Sequence, residues 1–404
     1  MDSSPHRFSQ ATPVTPGREP CVTPPRWRRV AVFFLLAMGI AFASPGQGRA
    51  QDVLRIGFVI GLTGPGAPDD SDIWNGAILA VEEINAGAPD GPSVVLTAFD
   101  TRNTPITAKS ATKEAIAAGS DILLAPSYSS QALEAARTAQ ERGIPIISVI
   151  ATHPDIAAVG DYVFQVCFDD NAQARAMAAF ARQDLAAATA AILTDVTSAY
   201  ALSMTHAFRT RFVALGGTVV SEIDYKMRQR RFDDVVSQAA LAHADVLFMP
   251  GYWLDASAMI KLMHETGLTA IPLAGDGWGS SRFASLRGNL PVRGYYTDHW
   301  DSFMTDEASR RFTAAYAARF GRPPVAGSAL AYDAVRVAAK AADLARSVRP
   351  DALRATLAAM RDFPGVTGAL HFREGGGIRK GVHIMEIRNG RASLLRTIQP
   401  EETP

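Results

Sequence analysis

From residue 53 onward, short apolar runs alternate with amphipathic stretches, the pattern left by strands and crossover helices of parallel sheets. Residues 55–61 carry Ile56, Phe58, Val59 and Ile60 and read as a first strand. Over 73–85 the positions Ile73, Ala77, Ala80, Val81 and Ile84 recur at helical spacing, with Ser71 or Asp72 available as a cap. A second strand follows at 94–100. Thr104-Pro105 then sets a capping hydroxyl and a first-turn proline before a helix that runs to Gly119. Strands at 121–125 and 144–150 flank a helix at 131–142, which Gly143 closes.

The rhythm then restarts. Strands are predicted at 190–194, 218–225, 245–249 and 271–273, with helices at 200–215 and 232–243 and a third, capped by Asp255, that ends at Gly267. Two similar α/β units in tandem are therefore legible without any alignment. The tail differs: 312–320, 328–346 and 352–360 read as helices, and 381–387 and 392–398 as a hairpin around Asn389-Gly390.

The first fifty or so residues break this pattern. Arg26, Arg28 and Arg29 form a basic segment, 30–43 is apolar, and Gly48-Arg49-Ala50 puts small residues where a signal peptidase cuts. The apolar run falls short of the roughly 20 residues that span a bilayer. Export to the periplasm with cleavage near Ala50 is the expectation for residues 1–50. Of the two cysteines, Cys21 precedes that cut and only Cys167 follows it, so no internal disulfide is expected. Charge is balanced at 40 basic and 40 acidic side chains, which leaves no global field to hold nucleic acid.

Catalytic motifs are absent: there is no H-E-x-x-H, C-x-x-C, G-x-S-x-G or G-x-x-x-x-G-K-[ST], and the eight histidines are scattered. The run Gly61-x-x-Gly64-x-Gly66 hints at a phosphate loop, but Pro65 and Pro68 argue against a helix starting directly behind it, as such a site requires. The chain is thus expected not to be an enzyme and to need no cofactor or metal. More informative is 126–152. Ser127, Ser129 and Ser130 lie between a strand and a helix, where hydroxyls and leading helix amides converge on a point that suits a carboxylate or serve simply as a cap. The next strand ends at Ala151-Thr152, a second hydroxyl at the carboxyl edge of the same sheet, where ligands of open α/β sheets bind.

These residues carry a resemblance. Ile56-Gly57 through Gly64-Pro65, Gly76 with 80–85, the Ser129 segment, 144–152, Pro250-Gly251-Tyr252 and 368–390 resemble, in order and spacing, the leucine/isoleucine/valine-binding protein family, the type I periplasmic binding proteins of ABC importers. The interval from Ser129 to Thr152 matches without a gap. The resemblance implies that Ser129 and Thr152 hold a ligand carboxylate and that Ile150 offers a carbonyl to its ammonium. Tyr128, Ser130 and Ala151 flank these positions. Tyr200 and Tyr252 would come from a second lobe, and Asp276 matches the family acid that pairs with the ammonium. Two departures stand out: the family's first-loop aromatic gives way to the acidic Pro68-Asp69-Asp70, and Tyr128 and Trp278 add bulk beside Ser129 and Asp276.

The fold so implied is α/β, with two doubly wound parallel-sheet lobes joined by a three-crossover hinge, lobe 1 being 53–169 plus 300–371 and lobe 2 being 170–299 plus 372–399. The function implied is periplasmic capture of an amino acid, or a related small carboxylate or amide, by hinge closure for the membrane permease of an ABC transporter. The protein is expected to be a monomer. The alternative is a sensory or regulatory amide-binding protein of the same fold.

Overall fold

The computed structural model describes residues 53–87, 91–283, 293–388 and 391–399. The expected leader and the turn Asn389-Gly390 lie outside these residues. The first sheet comprises β1 (Val53–Ile60), β2 (Ser93–Asp100), β3 (Ile122–Leu124), β4 (Ile146–Ser148) and β5 (Val163–Gln165) in the order β2-β1-β3-β4-β5, with every pairing parallel. Crossover helices α1 (Ala67–Gly87), α2 (Pro105–Ala117) and α3 (Ser129–Arg142) connect the first four strands. Local chemistry sets their ends. Thr104 Oγ1 accepts from the Thr107 amide at the start of α2, and Gly143 takes the left-handed conformation that closes α3.

Two short strands, β11 (Phe363–Gly365) and β12 (Gly368–Leu370), pair antiparallel with each other, while the second large sheet runs, from edge to edge, residues 391–398, 382–388, 294–298, 271–274, 246–248, 189–195 and 218–225. Its parallel part is β6 (Thr189–Asp195), β7 (Thr218–Tyr225), β8 (Val246–Phe248), β9 (Ile271–Ala274) and β10 (Gly294–Asp298). The hairpin β13 (Val382–Arg388) and β14 (Arg391–Ile398) extends it antiparallel. The helices here are α4 (Asp170–Gln183), α5 (Ala199–Ala214), α6 (Asp233–Leu241) and α7 (Trp253–Thr266). The two α/β lobes expected from the sequence are present.

Three later helices, α8 (Glu307–Phe320), α9 (Ala326–Ala345) and α10 (Pro350–Ala359), return to the first sheet. Phe312, Leu330, Val335 and Leu353 share one core with Leu54, Ile56 and Ile73. Helix α9 covers α1 so closely that a Cβ on Gly76 would lie 2.0 Å from the Ser328 carbonyl oxygen. The chain therefore passes from the first sheet to the second after β5, returns after β10, and leaves again between Phe372 and β13.

Several elements depart from expectation. Helix α1 begins at Ala67, six residues before the apolar stripe, and so lies directly behind the glycine run. Even so, no phosphate cradle results: Asp69 and Asp70 occupy its first turn, and Asp70 Oδ2 accepts from the Gly61 amide at 3.0 Å. Asp255 does not cap α7 but lies inside its first turn, and the cap position belongs to Tyr252. Strands β5 and β10 and helix α4 are additional to those expected.

Candidate ligand-binding site

Ligands of open α/β sheets bind at the carboxyl ends of strands, and here those ends of the two sheets face one cavity. From the first lobe, Ser127, Tyr128 and Ser129 reach it after β3, and Ile150 and Thr152 after β4. Tyr200, Tyr252, Asp276 and Gly277 come from the second lobe. Ser129 is the first residue of α3 and is buried. Tyr128, at the cap position, makes no side-chain hydrogen bond to the helix, so the leading end of α3 has no carboxylate or hydroxyl capping it from that position.

Asp276 sits in a short 3-10 turn after β9, nearly buried. Its Oδ1 accepts from Gln173 Nε2 at 3.0 Å and its Oδ2 meets His299 Nε2 at 3.1 Å. Burial pushes His299 down to about 4, so at neutral pH the ring is uncharged and donates to the carboxylate through Nε2. Gln173 acts as a hub. Its Oε1 accepts from the Asp276 amide at 3.1 Å and Thr297 Oγ1 at 2.7 Å, and its Nε2 also reaches Thr152 Oγ1 at 3.3 Å. Thr152 from one lobe and Asp276 from the other are thus held by one amide side chain. Tyr200 Oη accepts from the Gly277 amide at 3.2 Å.

A second group closes the cavity from outside. Asp69 Oδ2 accepts from Trp253 Nε1 at 2.9 Å, and Asp69 Oδ1 from Ser280 Oγ at 2.6 Å. Asp72 Oδ2 accepts from Ser281 Oγ at 2.6 Å, while its Oδ1 pairs with Arg322 at 2.7 Å. Tyr128 meets Tyr252 edge-on with ring centroids 4.8 Å apart, and Tyr252 stacks on Tyr200 at 5.4 Å. These contacts join the lobes, so the structure is the closed form. Ile73, Ile150 and Val325 supply an apolar wall. Asp70, hydrogen-bonded to Ser127 Oγ, is pushed up to about 6 by burial.

Seven of the ten residues singled out from the sequence line this cavity: Tyr128, Ser129, Ile150, Thr152, Tyr200, Tyr252 and Asp276. The structure does not bring the other three to it. Trp278 points into the second-lobe core, fully buried 5.1 Å from the Phe283 ring. The Ala151 carbonyl is taken by Ser148 Oγ and Gln165 Nε2, and Ser130 lies beyond the lining. Sequence reasoning missed Gln173, His299 and the serines 280 and 281. It registered Asp69 and Asp70 only as an oddity of the first loop, although an acidic loop where the family has an aromatic was the available signal.

A family model described as a periplasmic binding protein matches residues 53–392. The chain belongs to that family. It is 26% identical to Leu/Ile/Val-binding protein homolog 3 of Brucella melitensis over 76% of this chain and 82% of that one. The leucine-binding protein LivK of Thermotoga maritima has a similar structure, with a TM-score of 0.82 and 26% identity over 86% of this chain and 99% of that one. LivJ of Streptococcus pneumoniae, solved with isoleucine, matches with a TM-score of 0.81 and 25% identity over 86% of this chain and 100% of that one. By their names these relatives are binding proteins, LivJ being the substrate-binding protein of a branched-chain amino acid transporter, and membership of the family implies a periplasmic location. Among the described residues no helix is long and apolar enough to cross a membrane, and no cluster of side chains suits a metal ion.

Proposed function

We propose that this protein captures a small amino acid, or a close amine-bearing relative, and presents it to the membrane permease of an ABC importer. One observation carries the reading: hydroxyls suited to a carboxylate, on Ser129 and Thr152, line the same cavity as the Asp276 carboxylate suited to an ammonium. In this reading the ligand carboxylate meets Ser129 and the amides that open α3, while Asp276, which keeps free lone pairs beside its bonds to Gln173 and His299, receives the ammonium. Lobe 1, taken as 53–169 plus 300–371, binds first, and lobe 2, taken as 170–299 plus 372–399, closes over the ligand.

Electrostatics support an amine-bearing ligand over a simple acid. Asp69, Asp70, Asp72 and Asp276 line the cavity, and among the described residues no lysine, arginine or histidine does. Arg322 offsets only Asp72. An anion lacking an ammonium would bring negative charge among carboxylates in a poorly solvated space, which is unfavourable. The test is a thermal-shift panel on ligand-free protein. A ligand at 100 times its Kd raises stability by about 2.7 kcal/mol. Neutral and cationic amino acids are expected among the stabilising compounds, and a panel in which only monocarboxylates without an amine respond sinks the proposal.

A further inference from the structure

The loop between β7 and α6, residues 226–232, leaves β7 at its carboxyl end and so opens toward the cleft. Within it Arg228 has a φ of +60°, a left-handed conformation that a residue with a side chain adopts only where its surroundings impose it. Two buried carboxylates impose it here. Both carboxylate oxygens of Asp255 accept from the Arg228 amide, at 3.2 and 3.0 Å, and Asp195 Oδ1 accepts from the Met227 amide at 3.0 Å. The turn is closed from within by Gln229, whose Oε1 accepts from the Lys226 amide at 3.1 Å. Asp255, which reads in the sequence as a helix cap, thus holds a loop of the cleft in place.

The clamp aims the Arg228 side chain, which is exposed, across the mouth of the ligand cavity. Its guanidinium donates to the hydroxyl of Tyr128, which follows β3 in the first sheet. Beyond that tyrosine lies a small outer cavity, lined by Pro65, Asp69 and Tyr128 from the first lobe and by Met227, Arg228 and Asp255 from the second. Tyr128 lines the ligand cavity too, so its ring is a partition between that cavity and the mouth. The ring is closely seated. A Cβ on Gly66 would lie 2.7 Å from it, and Tyr252 meets it with centroids 4.8 Å apart. Arg228 ties down its hydroxyl end.

We propose that Arg228 positions Tyr128 as the bolt of the ligand cavity, and so sets how fast the closed form reopens and how long a ligand is held. This role rests on the proposed reading of the cavity and concerns retention of a ligand, not its class. The guanidinium and the hydroxyl come within reach only after the lobes have met, so their bond stabilises the closed form without helping it to form. Losing the bond speeds opening and leaves closing alone. Asp69 to Trp253, Asp72 to Ser281 and Tyr128 to Arg228 are all bonds between protein groups, so the closed form is visited without ligand as well.

The test therefore uses ligand-free protein, and a failure to find an amino acid ligand leaves its outcome untouched. Single-molecule energy transfer follows dyes on Lys113→Cys in α2 and Lys261→Cys in α7, both exposed, in a Cys21→Ala background; Cys167 is buried and escapes labelling. In Arg228→Gln the opening rate is expected to rise about tenfold, the worth of a hydrogen bond to a charged group, with the closing rate unchanged. Arg228→Lys, which keeps a charged donor, should recover part of the loss. Tyr128→Phe should open as fast as Arg228→Gln, and the two together no faster than either, because both remove the same bond. An unchanged opening rate, a fall in the closing rate instead, additive effects of the two substitutions, or a wild-type protein that never closes without ligand each overturns the role of Arg228.

Discussion

Asp69, in the first turn of helix α1, accepts a hydrogen bond from the indole of Trp253, the first residue of helix α7, across the mouth of the ligand cavity. The two residues belong to different lobes, so the bond exists only when the lobes meet. Trp253→Phe keeps most of the ring packing and removes the donor, which leaves one carboxylate oxygen without its partner. A hydrogen bond to a charged group contributes about 1.5 to 3 kcal/mol. The variant is expected to rest more open without ligand, with a larger radius of gyration by small-angle scattering, and to bind about tenfold more weakly by calorimetry. Unchanged values on both counts would mean that the bond does not govern closure.

Asp276→Asn is expected to abolish tight binding of an amine-bearing ligand, since removing one member of a buried charge pair costs about 3 to 5 kcal/mol. The structure adds a second effect. An amide there would turn its NH2 toward either the Gln173 amide or the His299 ring nitrogen, both of which now donate to the carboxylate. The melting temperature should therefore fall as well. Ser129→Ala, which removes a hydroxyl but keeps the helix amides, should cost binding only about 1 to 3 kcal/mol and leave the melting temperature nearly unchanged. Calorimetry on both variants checks the order, and a stronger effect at Ser129 than at Asp276 would count against an ammonium.

The pH dependence of stability should carry the mark of Asp70. Its folded carboxyl is raised from an ordinary 3.8 to about 6 by burial, against hydrogen bonds from Ser127, Gly61 and Asn103 that lower it. Between those values the folded chain holds a proton that the unfolded chain has released. Its contribution is complete below 3.8 and is lost as pH rises through about 6. Asp70→Asn removes this dependence, so melting curves of the two proteins between pH 4 and 7 should diverge by up to about 3 kcal/mol. Parallel curves would show that Asp70 titrates normally.

Gly275→Ala should damage the site although it adds one methyl group. A Cβ there would lie 2.2 Å from Tyr200 Oη, 2.6 Å from Met204 Cε and 2.9 Å from Gln173 Oε1. Relief requires Tyr200 and the Gln173 hub to move, at a cost of about 1 to 3 kcal/mol in stability. Gly87→Ala, where nothing lies within 4 Å, is the control and should be silent in a thermal melt. Equal melting temperatures for the two variants would show that the turn can absorb the methyl group.

Both lobes and seven of the cavity-lining residues were legible in the sequence, because parallel strands announce themselves as apolar runs and the hydroxyls and acid fall at strand ends. What escaped has physical reasons. Helix α4 buries an unbroken apolar run from Ala176 to Ala181, in which no polar position marks a helical period, and Gln173, buried one turn earlier, was lost with it. The opening of α1 is acidic and carries Pro68, so its apolar period starts only at Ile73, although Asp70 and Asp72 are as buried as core residues. Trp278 follows Asp276 by two residues, close enough in sequence to share the cleft, yet the 3-10 turn sends its ring to the opposite side. Side-chain direction within a turn is set by backbone angles that residue type does not specify.

The cover that α9 lays over α1 has a consequence for how the protein is made. A ribosome completes β1 to β5 long before it reaches residues 326–345, so for most of synthesis the first sheet lacks the helix that seals one of its faces. Contacts that join such distant stretches form slowly. The nascent chain thus stays incompletely folded until nearly all of it has been polymerised, the condition that a translocase threading unfolded polypeptide through a membrane requires of its cargo.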